Sequence, residues 1–226
     1  MKLSLRRMPR IFSGSLSSKL DKIRAEIRRS EFDLVEKIQE GIINMVSHKL
    51  LQREKSIVFV GFMGVGKTTI GKLVAKKLDR DFVDVDEEIE KEFGMPPRQI
   101  FETYGEKIFR EREQSLSISL SKQPLKVISL GGGAFLNKEI REACLENCIV
   151  LFLDLSWDAW KERISLIIDS RPVLQNKSLE EMEELYYSRQ KAYSQHHLKI
   201  QTDYMNEEEA AHSIIESLEA AWELNT

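Results

Sequence analysis

The chain has 226 residues, 42% of them hydrophobic and 31% charged, enough to bury one sizeable core with some chain to spare. A formal net charge of −3 gives no broad attraction for nucleic acid, and no apolar run approaches the roughly 20 residues of a membrane span. The two cysteines, Cys144 and Cys148, have no further Cys or His cluster beside them, which argues against a zinc site and for reduced thiols in a cytoplasmic protein.

Residues 1–54 differ in character from the rest. The first twenty carry Lys2, Arg6, Arg7, Arg10 and Lys19, five serines and no acidic residue. That composition fits an organellar transit peptide, a disordered basic tail or a start codon placed too far upstream. Between Leu20 and Leu51 the apolar residues Leu20, Ile23, Ile27, Leu34, Ile38, Ile42, Val46 and Leu50 recur at helical spacing, interrupted by Gly41. The spacing predicts an amphipathic helix. Its stripe suits packing on the body of the chain, and equally a homo-oligomer or a protein partner; the sequence leaves both open.

From residue 55 to 226 short apolar strands alternate with helical stretches. Strands are predicted at 56–60, 81–84, 126–130, 148–153 and 198–202. Helices are predicted at 66–79, 86–93, 97–103, 105–121, 137–145, 156–167, 179–194 and 206–222. This rhythm predicts an α/β fold with a parallel sheet flanked by helices, where ligands bind beyond the carboxyl ends of the strands.

After the first strand comes GFMGVGKT, residues 61–68, a complete G-x-x-x-x-G-K-T phosphate-binding loop followed by a helix-forming stretch. Gly61, Gly64 and Gly66 allow the backbone to turn its N–H groups inward, and the helix N-terminus adds roughly half a unit of positive charge. Lys67 can reach the β- and γ-phosphates of ATP, and the Thr68 hydroxyl can coordinate Mg²⁺. Gly64, Val65, Gly66, Lys67, Thr68 and Thr69 are therefore the candidate nucleotide-binding residues.

The second strand ends in Asp84-Val85-Asp86. A carboxylate beside a nucleotide site can hold the metal or accept a proton from an acceptor hydroxyl, and Asp86 also fits a helix N-cap. The third strand ends in Ser129-Leu130-Gly131-Gly132-Gly133, a run that suits backbone approaching a ligand or carrying positive φ. Arg110, Arg171 and Arg189 have no obvious helical ion-pair role, and arginine suits bidentate carboxylate or phosphate recognition. His196 and His197, adjacent at a strand start, would face opposite ways and make no metal pair.

With these pieces in order, about residues 55–222 resemble the shikimate kinase family. GFMGVGKTTIGKLVA, FVDVDEEIE, IFETYGEKIFREREQ, VISLGGGAF, SRPVL and the Arg189 segment carry the likeness, nearest to the family in Bacillus-type bacteria. The resemblance implies a P-loop fold of the nucleoside-monophosphate-kinase type and phosphorylation of the shikimate 3-hydroxyl by ATP and Mg²⁺, in aromatic amino acid biosynthesis. It implies that Lys67 and Thr68 bind phosphates and metal, that Asp84 supports the metal, and that Asp86 holds the acceptor hydroxyl as the base. Arg110 and Arg189 would clamp the shikimate carboxylate. Gly131, Gly132 and Gly133 would line its site, with Phe101 and Phe109 as apolar walls and Glu113 orienting Arg110 or the ring hydroxyls. Arg171 would act from a mobile lid, and Arg163 on the adenine side. The family's proline shortly after the last arginine is missing from RQKAY, residues 189–193. A kinase of gluconate or a cyclitol, or a non-catalytic nucleotide-binding scaffold, is the alternative.

Overall fold

The run Ile57–Val60 forms β1, and all four of its residues are buried. A continuous apolar strand belongs in the middle of a sheet covered on both faces. In the computed structural model β1 is the central strand of five, in the order β2-β3-β1-β4-β5. The others are β2 (Asp81–Asp84), β3 (Lys126–Ser129), β4 (Ile149–Asp154) and β5 (Leu198–Gln201), and every pairing is parallel. The edge strands β2 and β5 carry the exposed polar positions.

The structure describes residues 36–39, 52–167, 174 and 177–224. The chain divides into two units, Met1–His48 and Lys49–Thr226. In the first, residues 36–39 form an exposed helical turn. The rest of the predicted amphipathic helix, the basic tail and Arg171 lie outside the described residues. No helix among the described residues is long and apolar enough to cross a membrane.

Eight helices are described in the second unit: α1 (Lys67–Leu78), α2 (Val85–Phe93), α3 (Pro97–Tyr104), α4 (Glu106–Ser121), α5 (Lys138–Asn147), α6 (Trp157–Ile167), α7 (Leu179–Tyr193) and α8 (Glu207–Leu224). α1 packs on α8, and α4 on α3 and α5. Trp160, Tyr193, Phe59, Phe62 and Phe135 are the bulkiest of the fully buried side chains. Each predicted strand and helix from residue 55 onward is present within a few residues, and a short 3₁₀ turn, Ala134–Leu136, follows the glycine run. Without the proline, α7 continues unbroken from Arg189 to Tyr193.

Register places the site. Phe59 of β1 lies beside Ser129 of β3, and Ser129 lies beside Asp84 of β2. The three strands therefore end level. The phosphate loop, the Asp84–Asp86 segment and the glycine run leave the sheet side by side.

Candidate active site

The phosphate loop needs its glycines for conformation and for space. Gly61, Gly64 and Gly66 all have positive φ, and a Cβ at Gly61 would lie 2.6 Å from the Leu153 carbonyl oxygen. The Lys67 ammonium donates to the carbonyls of Gly61 and Phe62, at 2.9 and 3.0 Å. The Thr68 hydroxyl donates to Asp84 Oδ2 at 2.6 Å. The other oxygen of Asp84 accepts the main-chain N–H groups of Asp86 and Glu87, so Asp84 is the N-cap of α2. That corrects the cap expected at Asp86, which instead stands in the first turn of α2. The cap leaves Asp84 bridging the helix start and the phosphate loop, with its carboxylate pinned at both oxygens.

A cavity of about 380 Å³ opens over this loop, lined by Gly64, Gly66, Lys67, Thr68 and Thr69, with Asp84 and Asp86 on its wall. Ser129 and Leu130, at the head of the glycine run, also line it, as do Glu87 and Glu90, which the sequence did not point to. Val65 does not reach the cavity with its side chain, which is buried in the core.

A smaller cavity, about 80 Å³, adjoins it and shares Asp86, Gly131 and Gly132 as common lining. Phe101 and Phe109 form an apolar wall, edge to face at 4.9 Å, with Met63 and Pro97 completing that side. The guanidinium of Arg110 lies over both rings, at 5.8 and 5.4 Å. Arg110 also pairs along its own helix, with Glu106 at 3.0 Å and Glu113 at 2.8 Å. This overturns the expectation that it has no helical ion pair: the carboxylates one turn to either side on α4 preset its orientation. Burial opposes its charge, yet the pull of Glu113 and Glu106 leaves its pKa above the ordinary value.

Glu113 itself is buried. Desolvation pushes its carboxyl up, Arg110 pulls it back and Asp86 pushes it further, with a net shift upward. One of its oxygens, Oε1, has no hydrogen-bond partner among the described residues. Arg189, on α7, is buried and donates through Nη1 to the Gly132 carbonyl at 3.1 Å, while its Nε is also unpartnered among the described residues. Burial and the neighbouring Arg110 hold its pKa below the ordinary value. Two guanidiniums converging on one small cavity, one of them with no carboxylate hydrogen-bonded to it among the described residues, make a strong field for an anion.

The glycine run serves close approach rather than left-handed backbone, since none of its three residues has positive φ. A Cβ at Gly131 would lie 2.6 Å from Asp86 Oδ1 and 3.0 Å from Glu113 Oε1. At Gly133 it would lie 3.4 Å from Arg110 Nη1. Arg163 is half-buried on α6 and lines neither cavity.

The expected thiols are free and inert. Cys148 donates to the Ser121 carbonyl, and burial pushes its pKa up to about 12.

A level row of strand ends, a phosphate loop and a second cavity across a shared aspartate define a protein of the P-loop kinase class. Comparison with known proteins narrows this. The shikimate kinase family profile matches residues 63–219. A shikimate kinase of Oceanobacillus iheyensis is 59% identical over 172 residues, 76% of this chain and 94% of that protein. That of Bacillus subtilis is 55% identical over 174 residues, 76% of this chain and 93% of the relative. The structure of shikimate kinase from Acinetobacter baumannii in complex with shikimate superposes with a TM-score of 0.70 at 31% identity, covering 76% of this chain and 97% of that one. The chain belongs to the shikimate kinase family.

Proposed function

We propose that the protein transfers the γ-phosphoryl group of ATP to the 3-hydroxyl of shikimate, giving shikimate 3-phosphate and ADP, in the cytoplasm and as a step toward chorismate. The observation that carries this reading is the pair of cavities meeting at Asp86, Gly131 and Gly132. A phosphate donor in one and a small carboxylated acceptor in the other would have their reacting ends at that shared wall.

Position supports the following assignment of parts for the residues that line the two cavities. Lys67 would exchange its loop carbonyls for the β- and γ-phosphates, with Gly64, Val65, Gly66 and Thr69 contributing main-chain or hydroxyl donors. Arg110 and Arg189 would clamp the acceptor carboxylate, Phe101 and Phe109 would cover the ring, and Glu113 would keep one oxygen for a ring hydroxyl. Asp86 would take the proton as the acceptor oxygen bonds to phosphorus and the bond to ADP breaks. Such chemistry is mostly positioning and charge neutralisation.

Thr68 and Asp84 would hold Mg²⁺, which would neutralise phosphate charge during transfer. Two hard oxygen ligands 2.6 Å apart beside the loop fit a cation that takes one or two protein oxygens and completes its shell with phosphate and water. Arg171 would close over the phosphates and Arg163 would lie on the adenine side. Residues 55–226 would form this kinase body, with 1–54 as an extension outside it.

The test is ADP release from Mg·ATP by the full-length protein, with and without shikimate, and with gluconate in parallel. Strong shikimate-dependent turnover is expected. Turnover with gluconate alone would move the acceptor to another polyol acid, and nucleotide binding without turnover on either would favour a scaffold.

A further inference from the structure

The buried hydroxyl of Tyr193 has no part in the reaction described so far. Tyr193 ends α7, one helical turn after Arg189, and is 1% exposed. Its hydroxyl donates to the Gly132 carbonyl at 2.5 Å, the same oxygen that accepts Arg189 Nη1. Its ring stacks on Phe152 of β4 at 5.5 Å, which fixes where the hydroxyl stands.

Gly132 needs such an anchor. A glycine has no side chain to lock its peptide planes, so the backbone holds only as well as its outside contacts hold it. On one side Gly132 packs against the phosphate loop: a Cβ there would lie 3.3 Å from the Met63 amide nitrogen. The Gly132 carbonyl is held from α7, by Tyr193 and Arg189. A lone Arg189 would have to serve two masters, the Gly132 carbonyl and an anion in the small cavity.

Resting on the function proposed above, we infer that Tyr193 is a positioning residue for the acceptor. It holds the Gly132 carbonyl, and so frees the Arg189 guanidinium to aim at the acceptor carboxylate. The spacing of four on one helix puts both groups on the same face, and the rigid stack on Phe152 makes the arrangement independent of ligand.

The experiment compares steady-state kinetics of the wild type, Tyr193→Phe and Phe152→Leu, with thermal melting of each. Tyr193→Phe keeps the ring and removes the hydroxyl. The acceptor KM is expected to rise about three- to tenfold, with kcat and the ATP KM within twofold, as for loss of one buried hydrogen bond. Phe152→Leu, which loosens the stack that fixes the hydroxyl, is expected to lower the melting temperature and to raise the acceptor KM by less than Tyr193→Phe does. An unchanged acceptor KM in Tyr193→Phe overturns the proposal. So does a fall in kcat at constant KM that tracks lost stability. Absence of shikimate-dependent turnover in the wild type is a separate result: it overturns the proposed reaction itself, and this proposal with it.

Discussion

The two cavities are built in opposite ways. The nucleotide side is mostly main chain: one continuous loop, Gly61 to Thr68, folded by glycine conformations that the next helix locks. The acceptor side is a meeting of side chains from α2, α3, α4 and α7 over a glycine floor. A local loop suits a phosphate chain common to every nucleotide. A constellation spread over a hundred residues can recognise one acceptor, because each wall can be shaped separately. Substitutions should therefore separate the two sides, and their effects should fall off with distance from the shared wall.

Asp86→Asn should have the largest effect. It removes a proton acceptor while keeping shape, so kcat is expected to drop by about 10²–10⁴ with nucleotide affinity nearly intact. Steady-state kinetics beside nucleotide titration reads both. Near-normal turnover would take Asp86 out of the base role.

Gly131→Ala should come next. The added methyl meets Asp86 Oδ1 at 2.6 Å and Glu113 Oε1 at 3.0 Å, so both carboxylates must move. Displacement on this scale costs about ten- to a hundredfold in kcat/KM for the acceptor. Nucleotide binding, measured alone, should change little, since the loop on the other side is held by its own main chain. An equal loss of nucleotide affinity would show that the two cavities are one cooperative unit.

How much of this was legible in the sequence follows the same division. The phosphate loop was readable because its chemistry is contiguous: spacing, strand and helix all sit within twenty residues. The strands were readable because a doubly covered sheet demands unbroken apolar runs such as IVFV. What composition and periodicity could not supply was convergence. Arg110 and Arg189 are seventy-nine positions apart, and only family resemblance paired them. Glu106 was overlooked as an ion-pair partner of Arg110 and Glu113 came only through the family resemblance, although both stand at the four- and three-residue spacings that signal such pairs. The N-cap went to the wrong aspartate because D-V-D offers two caps, and the helix start is settled by where the strand lets go. Tyr193 carried a signal too, four residues after Arg189, but its target was a glycine carbonyl in a distant loop.

Glu113→Gln sharpens the comparison from the acceptor side. Burial holds the Glu113 carboxyl above its usual range despite Arg110. A carboxyl raised in the folded state favours folding below its unfolded value and loses that contribution as pH rises through the folded value. At neutral pH the charged form is therefore a burden on stability. The amide is expected to leave the melting temperature equal or higher at pH 7, while the acceptor KM rises about three- to tenfold as a charge-assisted contact is lost. A lower melting temperature with unchanged KM would make Glu113 a structural partner of Arg110 and nothing more.

The smallest effect belongs at the other end of the sheet. His197 precedes β5, and its Nδ1 accepts the Val150 main-chain N–H at 2.9 Å, a bond that needs the neutral ring. Burial, with Lys55 and His196 nearby, lowers its pKa below the ordinary value. A base whose pKa is depressed by folding lets the unfolded chain take the proton first. Stability is then constant above the unfolded value of about 6.5 and falls as pH drops from there through the folded value. The residue as a whole is exposed, so solvent screening keeps the effect small. His197→Asn, which can still accept the N–H but does not titrate, should shrink the fall in melting temperature between pH 7 and pH 5.5 by about 1–3 °C. Kinetic constants for nucleotide and acceptor should not change, because no strand's carboxyl end is touched. A shift in either constant would mean that the amino and carboxyl ends of the sheet are coupled, and the separation of scaffold from site would fail.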